Sequence, residues 1–418
     1  MGETPNDQFL ADLSQSDYSK YELKVNPFPS IGIPEEVPAT TADREEAKRK
    51  FKEALRRTIF EHQSSIMVVT GEYGAGKTHL LRYFKYSVNV NLNSNTNKVL
   101  AVYIKTVGLN FRDFYLNFVD EMGRDFLSGF AVGIIKSYAK SKGDAVVRRH
   151  VYGTDTLARP DVTDSPVSSL LTESRYLDLF HEIEQDNDTG SSARMLNVVL
   201  HLAHPQYAAL AWRWLLGEKF SRDEMQLIGV DYCIDDDRSA MAAFQDMINL
   251  ILFEGYTTLA LLIDEFENLT LIPTVTRYRY MEEIRQFIDE NPGKLVTVFA
   301  TTPGAYVVLT QVPSALQRRL SGTEVELGFF ELRDIREMIT LYLALGRIKN
   351  ADVASAVASN PGTSTDTWPF TEEAIAAALA KSRGLVSSAI KICREALEMG
   401  VESEARTIGP DLVDKVKL

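Results

Sequence analysis

Cysteine is nearly missing from this chain. There are two in 418 residues, Cys233 and Cys393, far apart and without paired spacing. That suggests neither a disulfide framework nor a zinc site. Histidine is scarce too: six in all, and although His201 and His204 stand three apart, no cysteine or acidic residue flanks them to complete a metal set. No window approaches the run of roughly 18 apolar residues that a membrane span needs. The opening residues, Met1 to Asp7, lack the charged-then-apolar pattern of a secretory signal. A cytoplasmic protein with no membrane partner is the expectation. Positive charge is in deficit as well, with 45 Lys and Arg against 58 Asp and Glu and a net charge of −13. A field of that sign repels phosphate backbones, so a general polyanion binder is excluded and only local basic patches remain for nucleic acid. Internal repeats and low-complexity tracts are also absent.

The composition is otherwise ordinary, 45% hydrophobic and 25% charged, at a length that accommodates two or three domains. The chain is organised around Gly71-Glu72-Tyr73-Gly74-Ala75-Gly76-Lys77-Thr78. The apolar run Ile66–Thr70 precedes it, and a helical pattern opens from His79 to Lys85. Strand, glycine-rich loop and helix form the context of a phosphate-binding P-loop. Glycine lets successive N–H groups turn inward at phosphate oxygens, and the following helix aims its positive dipole end at the same spot. Gly71 through His79 are therefore the candidate nucleotide contacts, with Lys77 reaching the β- and γ-phosphates and Thr78 ligating Mg²⁺.

A second acidic element completes the chemistry. The apolar run Leu259–Ile263 ends in Asp264 and Glu265. Parallel strands present ligands at their carboxyl ends, so Thr70/Gly71 and Ile263/Asp264 are expected to be neighbours. Asp264 would hold Mg²⁺, and Glu265 would orient and deprotonate a water attacking the γ-phosphate. Thr301 and Thr302 follow the strand Leu295–Ala300 and either contact the γ-phosphate or attacking water, or cap the turn before Pro303. Arg318 and Arg319 either make an intramolecular ion pair or reach a neighbouring subunit's γ-phosphate.

The remaining chain reads in order. Residues 1–25 are polar and aperiodic, a loosely ordered arm, and Asn26 to Pro34 form a stiff extended connection. Thr41 caps a helix to about Glu61 with Ala47, Phe51, Leu55 and Ile59 as its buried stripe. Its other face, with Arg44, Lys48, Arg49, Lys50, Lys52, Arg56 and Arg57 among Glu45, Glu46 and Glu53, has the mixed charge of a solvated surface. Val99–Ile104 is a buried strand, and a helical pattern runs from near Asn110 through Phe126. Helices over Ala131–Lys142, Leu170–Asp186, Ala193–Ala203 and Gln206–Leu216 make a helical insertion or a second small helical domain. Its first part carries Lys136, Lys140, Lys142, Arg148, Arg149 and His150 beside Tyr138 and Tyr152, a solvated face or a DNA-binding patch. Ser239–Phe253 is a helix and Val325–Leu327 a short strand. Residues 328–418 read as helices only: Leu332–Ala344, Thr371–Lys381 and Ser387–Met399. The expected division is thus an arm at 1–40, an α/β core at 41–110 and 236–327, a helical insertion at 111–235 and a helical lid at 328–418.

In this order the motifs resemble those of AAA+ ATPases, in the replication-initiator and transposition-regulator branch, with the Asn26-Pro27-Phe28 entry adding to the likeness. The stretches Gly71–Leu81, Trp214-Leu215-Leu216-Gly217-Glu218 and Gly255-Tyr256 through Asp264 to Leu269 are similar to the ATP-binding proteins of BREX (bacteriophage exclusion) defence operons. The resemblance implies an α/β P-loop fold with a parallel five-stranded sheet, the P-loop strand in the middle, and ATP between core and lid. It implies an oligomer or a complex with other operon-encoded proteins, ATP hydrolysis completed across subunits, and work on DNA or in a defence complex. One departure stands out. Where the family's lid helix carries an arginine three residues after a glycine, Gly384-Leu385-Val386-Ser387 places a serine, so that either Arg383 substitutes or the lid senses nucleotide weakly.

Overall fold

The structure, a computed structural model, describes residues 17–30, 41–92, 98–142, 180, 182–183, 193–311, 320, 324–349 and 351–418. Five strands make one sheet: β1 (Ser65–Gly71), β2 (Lys98–Ile104), β3 (Tyr256–Ile263), β4 (Leu295–Thr301) and β5 (Glu324–Leu327), in the order β2-β3-β4-β1-β5. β2 runs parallel to β3 and β3 to β4, with Leu100 opposite Leu259 and Leu259 opposite Leu295. Leu259–Ile263 and the whole of β4 are buried, as strands covered on both faces must be. The strand order corrects two expectations. The P-loop strand β1 is fourth rather than central, and β4 stands between β1 and β3. An apolar run tells that a strand is covered on both faces but carries no record of which strands flank it.

The helices among the described residues are, in chain order, α1 (Glu45–Glu61), α2 (Lys77–Tyr86), α3 (Phe111–Met122), α4 (Arg124–Lys142), α5 (Ala193–His201), α6 (Ala208–Leu215), α7 (Arg222–Leu227) and α8 (Asp237–Phe253). After β3 come α9 (Thr274–Asp289) and α10 (Pro303–Thr310). The C-terminal helices are α11 (Leu332–Gly346), α12 (Val353–Ala358), α13 (Glu372–Ser382), α14 (Val386–Glu402) and α15 (Pro410–Lys415). The chain divides into two compact units. The first contains residues up to Lys48, Thr70–Tyr86 and Val325–Leu418; the second contains Arg49–Val69 and Ser87–Glu324.

Several boundaries differ from the sequence reading. Helix α1 starts at Glu45, not after Thr41, because Asp43 and Arg44 both take left-handed backbone that no helix continues. Its buried positions are Ala47, Phe51, Ala54, Leu55 and Thr58, while Ile59 is only half-buried. A strict four-residue spacing drifts off a face that repeats every 3.6 residues. The pattern begun at Asn110, whose side chain caps α3 by accepting the Asp113 N–H, stops at Met122. Gly123, at φ 77°, resets the direction and α4 begins at once, leaving Phe126 exposed. Helix α9 falls outside the helices read from the sequence, because its buried face, Tyr280, Met281, Ile284, Phe287 and Ile288, is spaced among many charges. The expected helix Leu170–Asp186 lies almost wholly outside the described residues.

Each unit has its own core. In the second, Phe111, Phe114 and Phe118 of α3 meet Phe244 of α8 and Phe287 of α9, with Phe118 stacked on Phe244 at 4.3 Å between centroids. In the first, the helices α11, α13, α14 and α15 close over Tyr18, Tyr21, Leu23 and Phe28. The segment 17–25, expected as a loose arm, is therefore structural. Its aromatic residues outweigh its polar average. The Tyr21 hydroxyl donates to the Ala405 carbonyl (2.7 Å), Lys20 Nζ to Gly400 (2.9 Å), and Arg394 to the Phe28 carbonyl (2.6 Å).

His201 of α5 gives the second unit a pH dependence. It is buried, and its Nδ1–H donates to the Asn197 carbonyl (2.7 Å). Burial holds its pKa down at about 4 against the ordinary 6.5. Between those values the unfolded chain binds a proton that the folded chain refuses, so stability falls on acidification from 6.5 and levels off below 4. The loss from this group is up to about 3 kcal/mol at 1.36 kcal/mol per unit. Urea midpoints of wild type and His201→Phe measured across that window should converge as the pH falls. A constant gap would remove His201 as the source.

Candidate nucleotide site

The P-loop belongs to the first unit. β1 ends at Gly71, where a Cβ would come within 3.1 Å of the Leu327 Cβ. Gly74 and Gly76 take φ of 81° and 93°, and α2 starts at Lys77, so the turning amides and the first helical turn come together. Lys77 Nζ donates to the Gly71 carbonyl (2.7 Å) and the Glu72 carbonyl (3.3 Å), and lies 5.5 Å from the Tyr73 ring centre. Tyr73 is exposed; Thr78 and His79 are half-buried in the first turn of α2. A loop with two left-handed glycines, a cation folded along its inner carbonyls and a helix start is a fit for polyphosphate.

The lid departure now has a geometric answer. Ser387, in the first turn of α14, donates its N–H to the Gly74 carbonyl (3.1 Å), and a Cβ on Gly74 would fall 2.2 Å from its Oγ. Val386 lies 4.0 Å from the Cβ position of Gly76. The short serine lets the helix start sit directly on the loop backbone. Arg383 is exposed in the left-handed C-cap of α13. Sequence reasoning missed Arg44, counted there as part of a solvated face. Its guanidinium donates to the Ala75 carbonyl (3.0 Å) and the Gly328 carbonyl (3.2 Å), and lies 4.8 Å from the Phe330 ring centre. It thus ties the P-loop to the segment after β5, and its burial lowers its pKa. The positive φ of Arg44 has no sequence signal, because arginine is not a residue that favours it.

The carboxylates belong to the second unit. The Asp264 N–H donates to the Ile104 carbonyl (2.8 Å), and the side chain is only 3% exposed. Its Oδ2 accepts the Tyr103 hydroxyl (3.0 Å) and its Oδ1 the Glu265 N–H (3.0 Å). Tyr103, read only as part of a buried strand, is thus a partner of the acidic element. Glu265 is exposed, at φ 48° and ψ 37°, ahead of a 3-10 turn over Phe266–Leu271. Asn268 on that turn donates to Glu265 Oε2 (3.2 Å) and to Thr106 Oγ1 (3.2 Å). A carboxylate at Asp264 and a hydroxyl at Thr78 are hard oxygen donors of the kind Mg²⁺ takes.

The other candidates fall unevenly. Thr302 is the N-cap of α10, its hydroxyl accepting the Ala305 N–H at 3.4 Å, which is the capping role. Thr301 ends β4, and its buried Oγ1 has no hydrogen-bond partner among the described residues. Arg318 and Arg319 lie outside the described residues, as do Arg148, Arg149, His150 and Tyr152. Lys136 is exposed on α4, but Tyr138 is buried in the core and offers no face for stacking. That corrects the aromatic part of the proposed patch. A helical spacing put Tyr138 near the lysines without telling which side of α4 it faced. No helix among the described residues is long and apolar enough to cross a membrane.

The parallel sheet, the P-loop between β1 and α2, and the helical C-terminal region define an α/β P-loop fold of the AAA+ type. Two structures of the Aeropyrum pernix ORC2 protein share it. The ADP form matches with a TM-score of 0.51 and 12% identity, over 94% of this chain and 72% of that one. The ADPNP–ADP complexes match with a TM-score of 0.51 and 12% identity, over 93% and 70%. Residues 162–344 match the family model described as BREX system ATP-binding protein BrxC/D, in agreement with the resemblance drawn from the motifs. That segment includes Asp264 and Glu265 and leaves out the P-loop. No curated protein matches the chain by sequence.

Proposed function

We propose that this chain is a Mg²⁺-dependent AAA+ ATPase that binds and hydrolyses ATP at a subunit interface, and so drives assembly or remodelling of a DNA-associated or phage-defence complex. The observation that carries the reading is the P-loop, with Gly74 and Gly76 left-handed and Lys77 Nζ folded onto the Gly71 carbonyl where an incoming phosphate would draw it out. The description of the matched family, an ATP-binding protein of the BREX system, supports both the ligand and the setting. The ADP and ADPNP forms of Aeropyrum pernix ORC2 support a nucleotide on this fold.

In this reading Gly71 to His79 hold the phosphates and Lys77 neutralises their charge. Thr78 and Asp264 hold Mg²⁺, which supplies further charge neutralisation when bound. Glu265 takes the proton of the attacking water, Thr302 stands beside the strand end as a cap, and Arg318 or Arg319 acts on a neighbour's γ-phosphate. The division into α/β core, helical insertion and lid belongs to the same proposal, with residues 17–28 counted with the lid. A second reading, an ATP-switched scaffold with slow hydrolysis, is favoured by one feature: α14 meets the loop through Ser387 and brings no cation there.

Steady-state hydrolysis at several protein concentrations, with and without double-stranded DNA, separates these readings. Active sites completed across subunits give a specific rate that climbs with concentration, and a DNA-associated role adds a further rise with DNA. A flat and very slow rate that nonetheless needs Lys77 for ATP binding supports the scaffold. For that binding, ATP at about a hundred times its dissociation constant should add roughly 2.7 kcal/mol to wild-type stability. Lys77→Ala should lose the shift. An undiminished shift in that variant removes the P-loop assignment.

A further inference from the structure

We propose that Asn268 is the positioning residue of the Glu265 carboxylate. The inference rests on the reading of Glu265 as the base that activates water. Glu265 is in an awkward place for that task. It is exposed, it follows the end of β3, and its backbone sits in the left-handed region without being glycine. A carboxylate on such a residue sweeps several rotamers unless something holds it.

Asn268 holds it from two sides. Its backbone N–H donates to the Glu265 carbonyl (3.0 Å), which closes the 3-10 turn and keeps residue 265 in its left-handed state. Its side-chain amide donates to Glu265 Oε2 (3.2 Å). The same Nδ2 also donates to Thr106 Oγ1 (3.2 Å), so the amide is itself anchored and cannot follow the carboxylate if it moves. The anchor is firm in turn. Thr106 Oγ1 accepts the Gly108 N–H (3.3 Å), and the Thr106 carbonyl accepts Asn117 Nδ2 of α3 (2.9 Å). Tyr280 of α9 donates to the Val107 carbonyl beside it. The loop after β2, pinned by two helices, therefore fixes through one amide the direction in which Glu265 points. One carboxylate oxygen is held and the other is presented.

An amide of this kind supports the chemical step without touching ATP. Its loss should lower kcat and leave KM for ATP alone, as with other groups that orient a reacting side chain. Partners of that sort typically change activity by about 10–100-fold. Asn268→Asp is the decisive variant. It keeps the size and the turn-forming character of asparagine, but the ionised side chain cannot donate to a carboxylate. Asn268→Asp and Asn268→Ala should both lose about 10–100-fold in kcat, with KM and melting temperature near wild type. Thr106→Val, which removes the anchor together with the acceptor of the Gly108 N–H, should give a smaller fall in kcat, and the double variant with Asn268→Ala should be no worse than Asn268→Ala alone. Wild-type kcat in Asn268→Asp overturns the inference. So does a fall in kcat accompanied by a raised KM and a lowered melting temperature, which is the mark of a structural role. Glu265→Gln measured alongside keeps the two readings apart. If it turns over normally, the role of Glu265 is lost and this inference with it. If it is inactive while Asn268→Asp is not, only the role of Asn268 falls.

Discussion

Glu265→Gln is expected to bind ATP as wild type does and to lose hydrolysis by a factor of about 10²–10⁴, the usual contribution of a positioned general base. The amide is isosteric, and the backbone that fixes residue 265 is shaped by neighbours that remain. The Glu265 N–H still donates to Asp264 Oδ1, and the Asn268 N–H still closes the turn. Binding should therefore survive while the proton acceptor is gone. The pair of measurements is an ATP-dependent thermal shift and single-turnover hydrolysis. A retained shift with the rate lost places Glu265 at the chemical step. A wild-type rate would exclude it, and loss of the shift would mean that residue 265 helps to hold nucleotide.

The second large effect concerns stability. Tyr21 is completely buried in the core of the first unit, with its hydroxyl on the Ala405 carbonyl and its own carbonyl accepting Arg347 Nη1 (2.9 Å). Tyr21→Ala removes an aromatic ring from a packed interior and leaves the Ala405 carbonyl without that donor. Aromatic-to-alanine changes in cores cost about 3–5 kcal/mol. For a unit of this size that is a fall in melting temperature of about 6–20 °C. Tyr21→Phe, which keeps the ring, should cost about 1 kcal/mol. Val25→Ala, at an exposed position of the same segment, should be within about 0.5 kcal/mol of wild type. Melting curves of the three variants check this. If Tyr21→Ala melts with wild type, residues 17–30 are not integral to the C-terminal core.

The sequence made the P-loop, the acidic strand end and the lid helices readable because each is local. Gly71 to Thr78 is a spacing, Leu259 to Glu265 is an apolar run with two acids at its end, and α13 starts one residue after the Thr371 that caps it. What stayed hidden depends on residues far apart in the chain. Nothing near Arg44 says that its guanidinium reaches Ala75 and Gly328, and nothing near Tyr103 says that its hydroxyl meets Asp264, 161 residues on. The strand order is of the same kind, since it is fixed by how connections cross the sheet. The polarity of their neighbours hides Tyr18 and Tyr21, and the prolines beside it hide Phe28, whereas the partners of all three are helices more than 300 residues later. The lid serine shows a further gap. A family pattern registers a missing arginine at position 387 but not the closeness of backbones that a small side chain permits.

Because Lys20 and Tyr21 find their partners at Gly400 and Ala405, the first unit also has a history during synthesis. Its earliest residues leave the ribosome long before the helices that shelter them. At about 5–20 residues per second, the intervening stretch takes roughly 20–80 s to appear. Throughout that time Tyr18, Tyr21 and Phe28 are exposed, and the P-loop has emerged without Ser387 to rest on it. The second unit's sheet strands β2 to β4 and their helices can form in the meantime, since their partners are already out. The nucleotide loop, translated well before α14, thus acquires its full surroundings late, and a nascent chain should lack its complete nucleotide site until α14 has left the ribosome.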